Sequence, residues 1–270
     1  MSDKITDCQV VRRPKITDCH DVYSAILCTS ATQPSTRNTR YLDILRFPFH
    51  VGYAQNGLQN GATMVSPQFL NVGAEEAMPL EALSPTGDDT EGVEIQTLTA
   101  LGYTDKFYTW NTWMYSFPCW VDGDLKPVEN VTFESGAGLW VQGSSAAQGL
   151  QSAGKVGKMD VNVQLCNGAT ATGNPFPVAI DLNDILPNGG DDATVDLEGV
   201  EIQTLTALGY TDKFYTWNTW MYGDPCWVDG DLKPVEKISF DPGQGLWIQG
   251  SSSAQYIRFP APELYPAPEL

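Results

Sequence analysis

The sequence has few of the residues and patterns on which enzyme catalysis depends. Only two histidines, His20 and His50, are present among 270 residues, and both precede the repeated part of the chain. No Ser-His-Asp context, glycine-rich phosphate loop or metal-binding helix motif is recognisable. We therefore predict that the protein is not an enzyme. A pair of carboxylates for glycoside hydrolysis is left open, because the distance between them in space decides such a site.

Long apolar runs are also absent. No stretch of about 18 or more apolar residues occurs, which predicts that the chain does not insert into a membrane. The 25 glycines and 18 prolines leave few uninterrupted stretches long enough for a helix, whereas aromatic residues are plentiful. This composition is typical of short strands joined by turns.

Basic residues are scarce outside the first 40 positions. The formal net charge is −18, and residues 1–40 hold six Lys or Arg against four Asp or Glu, a charge of +2, so the remainder carries −20. An acidic body repels phosphate backbones and anionic headgroups. Neither nucleic acid nor a membrane surface is therefore expected as a partner.

A long internal repeat dominates the sequence. Residues 91–115 recur unchanged at 198–222, an offset of 107 residues, and PCWVDGDLKPVE then repeats at the same offset. Upstream, from Gly61 and Gly168 onward, the two copies are only loosely alike. A unit of roughly 100 residues has the size of a self-sufficient β-sandwich rather than of a solenoid or propeller repeat.

We predict an all-β fold of two tandem β-sandwich domains, jelly-roll or Ig-like, with an extended N-terminal arm. The predicted ranges are 1–40 for the arm, 41–156 and 157–259 for the two modules, and 260–270 for a Pro-rich tail. Within a module, VEIQTLTAL alternates like a half-buried strand, KFYTW continues as a second strand, and Asp122-Gly123 signals a hairpin. A short helix is expected only at MPLEAL and IDLNDIL, started by Pro79 or Asp181.

Three motifs of the second copy occur in an order known from one group of proteins. They are GNPFPVAIDLNDIL at 173–186, YTWNTW at 215–220 and PGQGLWIQ at 242–249. Over residues 60–255 the chain resembles a β-sandwich repeat module of secreted bacterial surface proteins. The first copy keeps the later motifs but has SPQF and SGAG in place of NPFP and PGQG. The resemblance implies a β fold and an extracellular or cell-surface location, but no defined activity.

Six cysteines are disulfide candidates, because no CxxC pair or histidine-rich neighbour suggests zinc. They are Cys8, Cys19, Cys28, Cys119, Cys166 and Cys226. Cys119 and Cys226 are equivalent in the repeat, whereas Cys166 corresponds to Gln59. Cys166 is expected to bond Cys119 or Cys226. The remaining member of that pair would then bond an arm cysteine such as Cys28, in its own chain or in another copy.

All eight tryptophans lie in the duplicated body, four in each module. Most are expected to fill the core or an interface, since tryptophan carries the largest apolar side chain. Trp113 and Trp220, near predicted turns, are the best candidates for exposure. An exposed tryptophan ring could stack on sugar rings.

Acidic side chains around the Asp-Gly turn are candidate calcium ligands. They are Asp122, Asp124, Glu129, Asp229, Asp231 and Glu236. Their spacing, D-G-D-L-K-P-V-E, departs from the EF-hand loop, which needs more oxygen ligands over about twelve residues. A solvated hairpin turn explains these acids as well. Calcium is therefore a secondary expectation, and no other cofactor is predicted.

Two functions of different classes are compatible with this layout. The first is a structural subunit of an extracellular bacterial assembly, such as a filament, pilus-like fibre or surface layer, in which the basic arm joins copies head to tail. The alternative is a tandem carbohydrate-binding or adhesion module, in which two copies raise the avidity for polysaccharide. A virion structural protein is a more remote alternative.

Overall fold

A computed structural model describes residues 51–71, 77–143, 147–188 and 196–262. Strands make up 50% of the structure, and no helix of seven or more residues occurs in the described ranges. The all-β prediction is therefore confirmed. Within the same ranges, no helix is long and apolar enough to cross a membrane. The predicted arm and most of the predicted tail lie outside the described residues.

Strands β1 to β11 build the first module. They are β1 (Val51–Gly57), β2 (Gly61–Val65), β3 (Phe69–Leu70), β4 (Ala77–Pro79), β5 (Leu83–Thr86), β6 (Glu94–Leu98), β7 (Thr104–Asn111), β8 (Cys119–Val121), β9 (Thr132–Glu134), β10 (Leu139–Gly143) and β11 (Gly149–Val156). A four-stranded sheet has the order β1-β11-β3, with β5 also paired to β11. A five-stranded sheet has the order β2-β10-β6-β7-β8, and β4 pairs with β9.

Strands β12 to β21 repeat this pattern in the second module. They are β12 (Val161–Gln164), β13 (Gly168–Gly173), β14 (Ile180–Asp181), β15 (Leu186–Pro187), β16 (Glu201–Leu205), β17 (Thr211–Asn218), β18 (Cys226–Val228), β19 (Ser239–Phe240), β20 (Gly245–Gly250) and β21 (Tyr256–Phe259). The sheets have the orders β12-β21-β15 and β13-β20-β16-β17-β18, and β14 pairs with β19. The five-stranded sheet is thus reproduced strand for strand.

The turn between β6 and β7 shows how glycine ends a strand here. The amide of Thr99 donates to the carbonyl of Tyr103 at 2.8 Å, and the amide of Gly102 donates to the carbonyl of Thr99 at 2.9 Å. Gly102 has a φ of +80°, in the left-handed region that residues with side chains rarely adopt. The predicted strand VEIQTLTAL therefore shortens to β6 and a tight turn.

The two segments expected to be helical form single 3-10 turns between strands, Leu80–Ala82 and Leu182–Asp184. Pro79 and Asp181 precede these turns, as expected, and the Asp181 carboxylate accepts a hydrogen bond from the amide of Asn183 at 2.9 Å. The turns stay short because the neighbouring residues pair with other strands in β4, β5, β14 and β15.

Each module has a hydrophobic core of its own. One cluster of buried side chains lies within residues 58–156 and the other within residues 165–259. In each core two tryptophans pack edge to face, with 5.1 Å between ring centroids. The pairs are Trp110 with Trp120 and Trp217 with Trp227. Four of the eight tryptophans therefore belong to the cores.

The indole nitrogen of one tryptophan in each core is also hydrogen-bonded. Trp120 Nε1 donates to the carbonyl of Leu83 at 2.8 Å, and Trp227 Nε1 donates to the carbonyl of Ile185 at 2.9 Å. These carbonyls follow the two 3-10 turns. The upstream segments are only loosely similar in sequence, but in both modules each accepts the hydrogen bond from the core indole.

Hydrogen bonds between the modules follow the 107-residue offset. The amide of Ala62 donates to the carbonyl of Ala207, and the amide of Ala169 donates to the carbonyl of Ala100, each at 3.0 Å. Isolated bridges follow the same rule and join Val65 with Gln244 and Thr172 with Ala137. Because these contacts recur with the modules exchanged, a pseudo-two-fold axis passes through their junction.

The described residues belong to one unit that spans Phe47–Leu270. Its strands have a propeller-like arrangement of four blades. Strand β11 ends at Val156 and β12 begins at Val161, on either side of the predicted module boundary. The ranges 41–156 and 157–259 stay a prediction of the domain organisation.

Candidate functional site

The connection between β7 and β8 presents an exposed tryptophan on a firmly held loop. Glu91 accepts hydrogen bonds from the amide and the hydroxyl of Thr112, each at 2.6 Å. Asn111 donates from Nδ2 to Glu91 at 3.1 Å, and its Oδ1 accepts from the amide of Met114 at 2.8 Å. Trp113 lies between these held neighbours and is 70% exposed. Its backbone is fixed while its ring is open to solvent.

The second module repeats this loop. Glu198 accepts hydrogen bonds from the amide and the hydroxyl of Thr219, each at 2.7 Å, and Asn218 donates to the same carboxylate at 3.1 Å. Trp220 is 69% exposed. The exposure expected of Trp113 and Trp220 is confirmed, whereas their stacking on sugar rings stays a prediction.

A tyrosine ties each loop to the Asp-Gly turn that follows β8 or β18. The hydroxyl of Tyr115 donates to the carbonyl of Leu125 at 2.7 Å, and the hydroxyl of Tyr222 donates to the carbonyl of Leu232 at 2.5 Å. Both leucine side chains are more than half exposed. In each module, the β7–β8 or β17–β18 loop and this neighbouring turn thus form an exposed aromatic surface.

The acids of the Asp-Gly turn are used by the turn itself. Asp122 Oδ1 accepts hydrogen bonds from the amides of Asp124 and Lys126 at 3.0 and 2.9 Å. Lys126 Nζ lies 3.3 Å from Asp124 Oδ2, and the second module repeats these contacts with Asp229, Asp231 and Lys233. No group of three metal-ligating side chains occurs within the described ranges. Calcium binding by these acids, with Glu129 and Glu236, stays a prediction.

Cys166 is a free thiol in the structure, exposed in the turn between β12 and β13. Strand β13 lies four positions across the sheet from β18, which carries Cys226. Cys166 lies shortly before the strand at one edge of this sheet, whereas Cys226 begins the strand at the opposite edge. Within the described residues, no disulfide joins Cys166 to Cys226 or to Cys119, and the expected pairing stays a prediction. The candidates Cys8, Cys19 and Cys28 lie outside the described residues.

The Cys226 thiol is held in its protonated form. It is half-buried at the start of β18. Burial, and after it the nearby Asp224 carboxylate, raises the pKa of this thiol. The thiolate is the nucleophilic form of cysteine, so a raised pKa disfavours a reactive or catalytic role for Cys226.

A cleft of about 390 Å³ opens between the modules on the pseudo-two-fold axis. It is lined by five residues of each module at equivalent positions: Gln96, Leu98, Gly102, Thr104 and Trp140 from the first, and Gln203, Leu205, Gly209, Thr211 and Trp247 from the second. Its volume falls within the range of roughly 300–1,000 Å³ that is typical of small-molecule sites. We refer to it as the junction cleft.

No known protein family, curated protein or solved structure matches the chain. The resemblance to bacterial surface modules therefore stays a hypothesis from sequence motifs. The function of the protein therefore has to be inferred from its own residues.

The sequence does not single out Trp140 and Trp247 from the other tryptophans. Their only signal is the GLW motif, which predicts a strand that closes the module and is equally compatible with a core position. The structure places both indoles, half-buried, in the junction cleft instead. A cleft that forms only where the two modules meet leaves no pattern within either copy of the repeat.

Proposed function

We propose that the protein is a non-enzymatic adhesion protein, extracellular or at the bacterial cell surface, that binds polysaccharide through its two modules. The observation that carries the proposal is the matched pair of exposed tryptophans, Trp113 and Trp220, on loops held by Glu91 and Glu198. A ring whose backbone is already ordered loses little conformational entropy when it binds a partner. Tryptophan also offers the largest apolar face for contact with a sugar ring.

The duplication supports this function because two equivalent surfaces raise avidity. Once one module has bound a long polysaccharide, the second binds at a high effective concentration without any new contact. The charge of −20 outside residues 1–40 favours a neutral polysaccharide over an anionic one.

We also propose that each module is a β-sandwich of its own two larger sheets. Each core combines residues from both sheets, as Val141 on β10 and Leu150 on β11 illustrate in the first module. A core that is shared by the two sheets of one module is the arrangement expected of a sandwich.

A binding experiment with purified protein tests the adhesion function. We expect the protein to bind at least one neutral polysaccharide on a glycan array or in a pull-down with insoluble polysaccharide. The W113A/W220A double variant should lose most of that binding. Met159→Ala is the matched control, because Met159 is 79% exposed but has no ring. Binding that survives the double variant, or no binding to any polysaccharide, contradicts the proposal.

A structural subunit of an extracellular assembly is the second candidate. It is favoured by β1, which among the described residues is a seven-residue edge strand at the beginning of the first module. An edge strand offers backbone groups to a strand of another copy. Electron microscopy of the native, unreduced protein separates the two functions, because filaments or sheets indicate a polymer and dispersed particles indicate an adhesion module.

A further inference from the structure

The junction cleft contains two aromatic rings that are held in place before any ligand arrives. A Cβ added to Gly209 would lie 2.8 Å from Cη2 of Trp140, and a Cβ added to Gly102 would lie 3.4 Å from Cη2 of Trp247. Each indole therefore comes from one module and rests against a glycine of the other. This packing fixes the position of both rings.

The polar side chains of the cleft are also ordered, and they keep hydrogen-bonding capacity. Thr104 Oγ1 donates to Gln96 Oε1 at 2.6 Å, and Gln96 Nε2 donates to Glu94 Oε1 at 2.5 Å. The second module repeats both bonds with Thr211, Gln203 and Glu201. A glutamine amide has two donor hydrogens and two acceptor positions. Beyond these bonds, each glutamine therefore retains one donor and one acceptor position.

The charge around the cleft favours a neutral ligand. None of its ten lining residues is ionisable. Glu94 and Glu201 accept hydrogen bonds from the two glutamines, and both carboxylates add to the negative potential of the acidic body. An anionic ligand is therefore repelled, while a ligand with hydroxyl groups and apolar ring faces meets groups of matching chemistry.

We propose that the junction cleft binds one uncharged pyranose oligosaccharide per chain. The proposal rests on the adhesion function above and names a second, different site for it. Ring faces of the sugar contact Trp140 and Trp247, and sugar hydroxyls bond to the free positions of Gln96 and Gln203. Because the cleft lies on the pseudo-two-fold axis, it holds one oligosaccharide, which can bind in either of its two directions. The loops that carry Trp113 and Trp220 instead form two separate sites.

Isothermal titration of the full chain with cellohexaose and with chitohexaose tests the stoichiometry. We expect a binding component of one oligosaccharide per chain with at least one of these neutral probes. Hexagalacturonate, a probe of the same length with a charge on every ring, should bind more weakly. Equal or tighter binding of the anionic probe contradicts the argument from charge and overturns the proposal.

Three double variants assign the one-per-chain binding component to its site. T104V/T211V removes the hydroxyls that hold the side chains of Gln96 and Gln203 in place and should weaken the one-per-chain component by roughly three- to tenfold. W140A/W247A should abolish it, and W140F/W247F should retain part of it. Circular dichroism of each variant identifies any loss of fold, and the isosteric T104V/T211V pair keeps the test valid if the alanine pair unfolds.

The outcomes separate this proposal from the adhesion function. A one-per-chain component that T104V/T211V weakens and W113A/W220A leaves unchanged supports the cleft. Binding of two oligosaccharides per chain that no cleft variant alters overturns the cleft but leaves adhesion through the exposed tryptophans standing. Failure of the wild-type protein to bind any soluble or insoluble saccharide overturns both.

Discussion

At the scale of single residues, Gly102 and Gly209 each contact a tryptophan of the opposite module. Gly209 has a φ of +79°, and an added Cβ would also collide with the indole of Trp140. Two separate costs therefore apply to any side chain at this position. A positive φ is common to many glycines of this chain, whereas among the glycines that the structure describes only Gly102 and Gly209 contact an indole across the junction.

We expect Gly209→Ala to destabilise the protein by about 2–4 kcal/mol, from backbone strain of about 1–2 kcal/mol plus the displacement of Trp140. Gly199→Ala is the matched control, because Gly199 has a φ of +78° and nothing within 4 Å of an added Cβ. Urea denaturation of both variants measures the difference. If the two variants lose equal stability, the contact with Trp140 has no energetic weight.

The raised pKa values of two buried tyrosines predict a loss of stability at alkaline pH. Burial, and after it Asp105, raises the pKa of Tyr108 above 10.0. For Tyr215 the causes are burial, then Asp212 and Asp229. Because the folded state holds these protons more tightly, the unfolded state ionises first. The stabilisation is therefore complete below about pH 10 and is lost as the pH rises through the folded pKa values.

Denaturation midpoints between pH 9 and pH 11.5 measure this effect. The Y108F/Y215F variant should show a shallower decline of stability with pH than the wild type. Tyr103→Phe, at a position that is 70% exposed, serves as the control and should leave the slope unchanged. An unchanged slope in the double variant would exclude the buried tyrosines as the cause.

At the scale of elements, the β7–β8 loop depends on a carboxylate that lies before β6 in the sequence. Glu91 binds the backbone and the side chain of Thr112, about 20 residues away, and so anchors the loop that carries Trp113. Hydrogen bonds to a charged group contribute roughly 1.5–3 kcal/mol each. The loop is therefore expected to be rigid despite its exposure.

Replacing both glutamates, in E91A/E198A, should free the two loops and weaken polysaccharide binding while the tryptophans themselves are retained. Hydrogen exchange at the amides of Thr112 and Met114 should accelerate. E129A/E236A, which removes two exposed acids at equivalent positions, is the matched control. Retained protection of these amides in E91A/E198A would show that the glutamates do not hold the loops.

At the scale of the whole molecule, the two cores are separate but the backbones of the modules are joined. The bonds Ala62–Ala207 and Ala169–Ala100, together with the junction glycines, link the five-stranded sheets. A module that unfolds therefore exposes part of the surface of its partner. We expect the two modules to unfold together.

Equivalent core truncations test this coupling. Ile95 and Ile202 are both fully buried, and each change to alanine should cost about 2–5 kcal/mol. In calorimetry, I95A and I202A should each lower the midpoint of one common transition. A thermogram that splits into two transitions, one with the wild-type midpoint, would show that the modules unfold independently.

Much of the local structure could be predicted from the sequence because strands and turns depend on nearby residues. The alternation in VEIQTLTAL corresponds to β6, the turn that ends it contains Gly102, and Asp181 caps a short turn. The exposure of Trp113 could be predicted for the same reason, since it follows Asn111 at a strand end. The pairing of Cys166 with Cys119 or Cys226 could not be decided from the sequence, because a disulfide depends on how far apart two cysteines lie in the folded chain.

The sequence by itself determined that the chain is all-β, that it is duplicated and that its body is acidic, since composition, periodicity and identity are properties of the residues alone. The tertiary structure decided which tryptophans fill cores, which are exposed and which line the junction cleft. The physical reason is that a side chain such as Trp140 owes its place to Gly209 in the other module. Contacts between residues far apart in the chain arise only once both modules have folded and packed together.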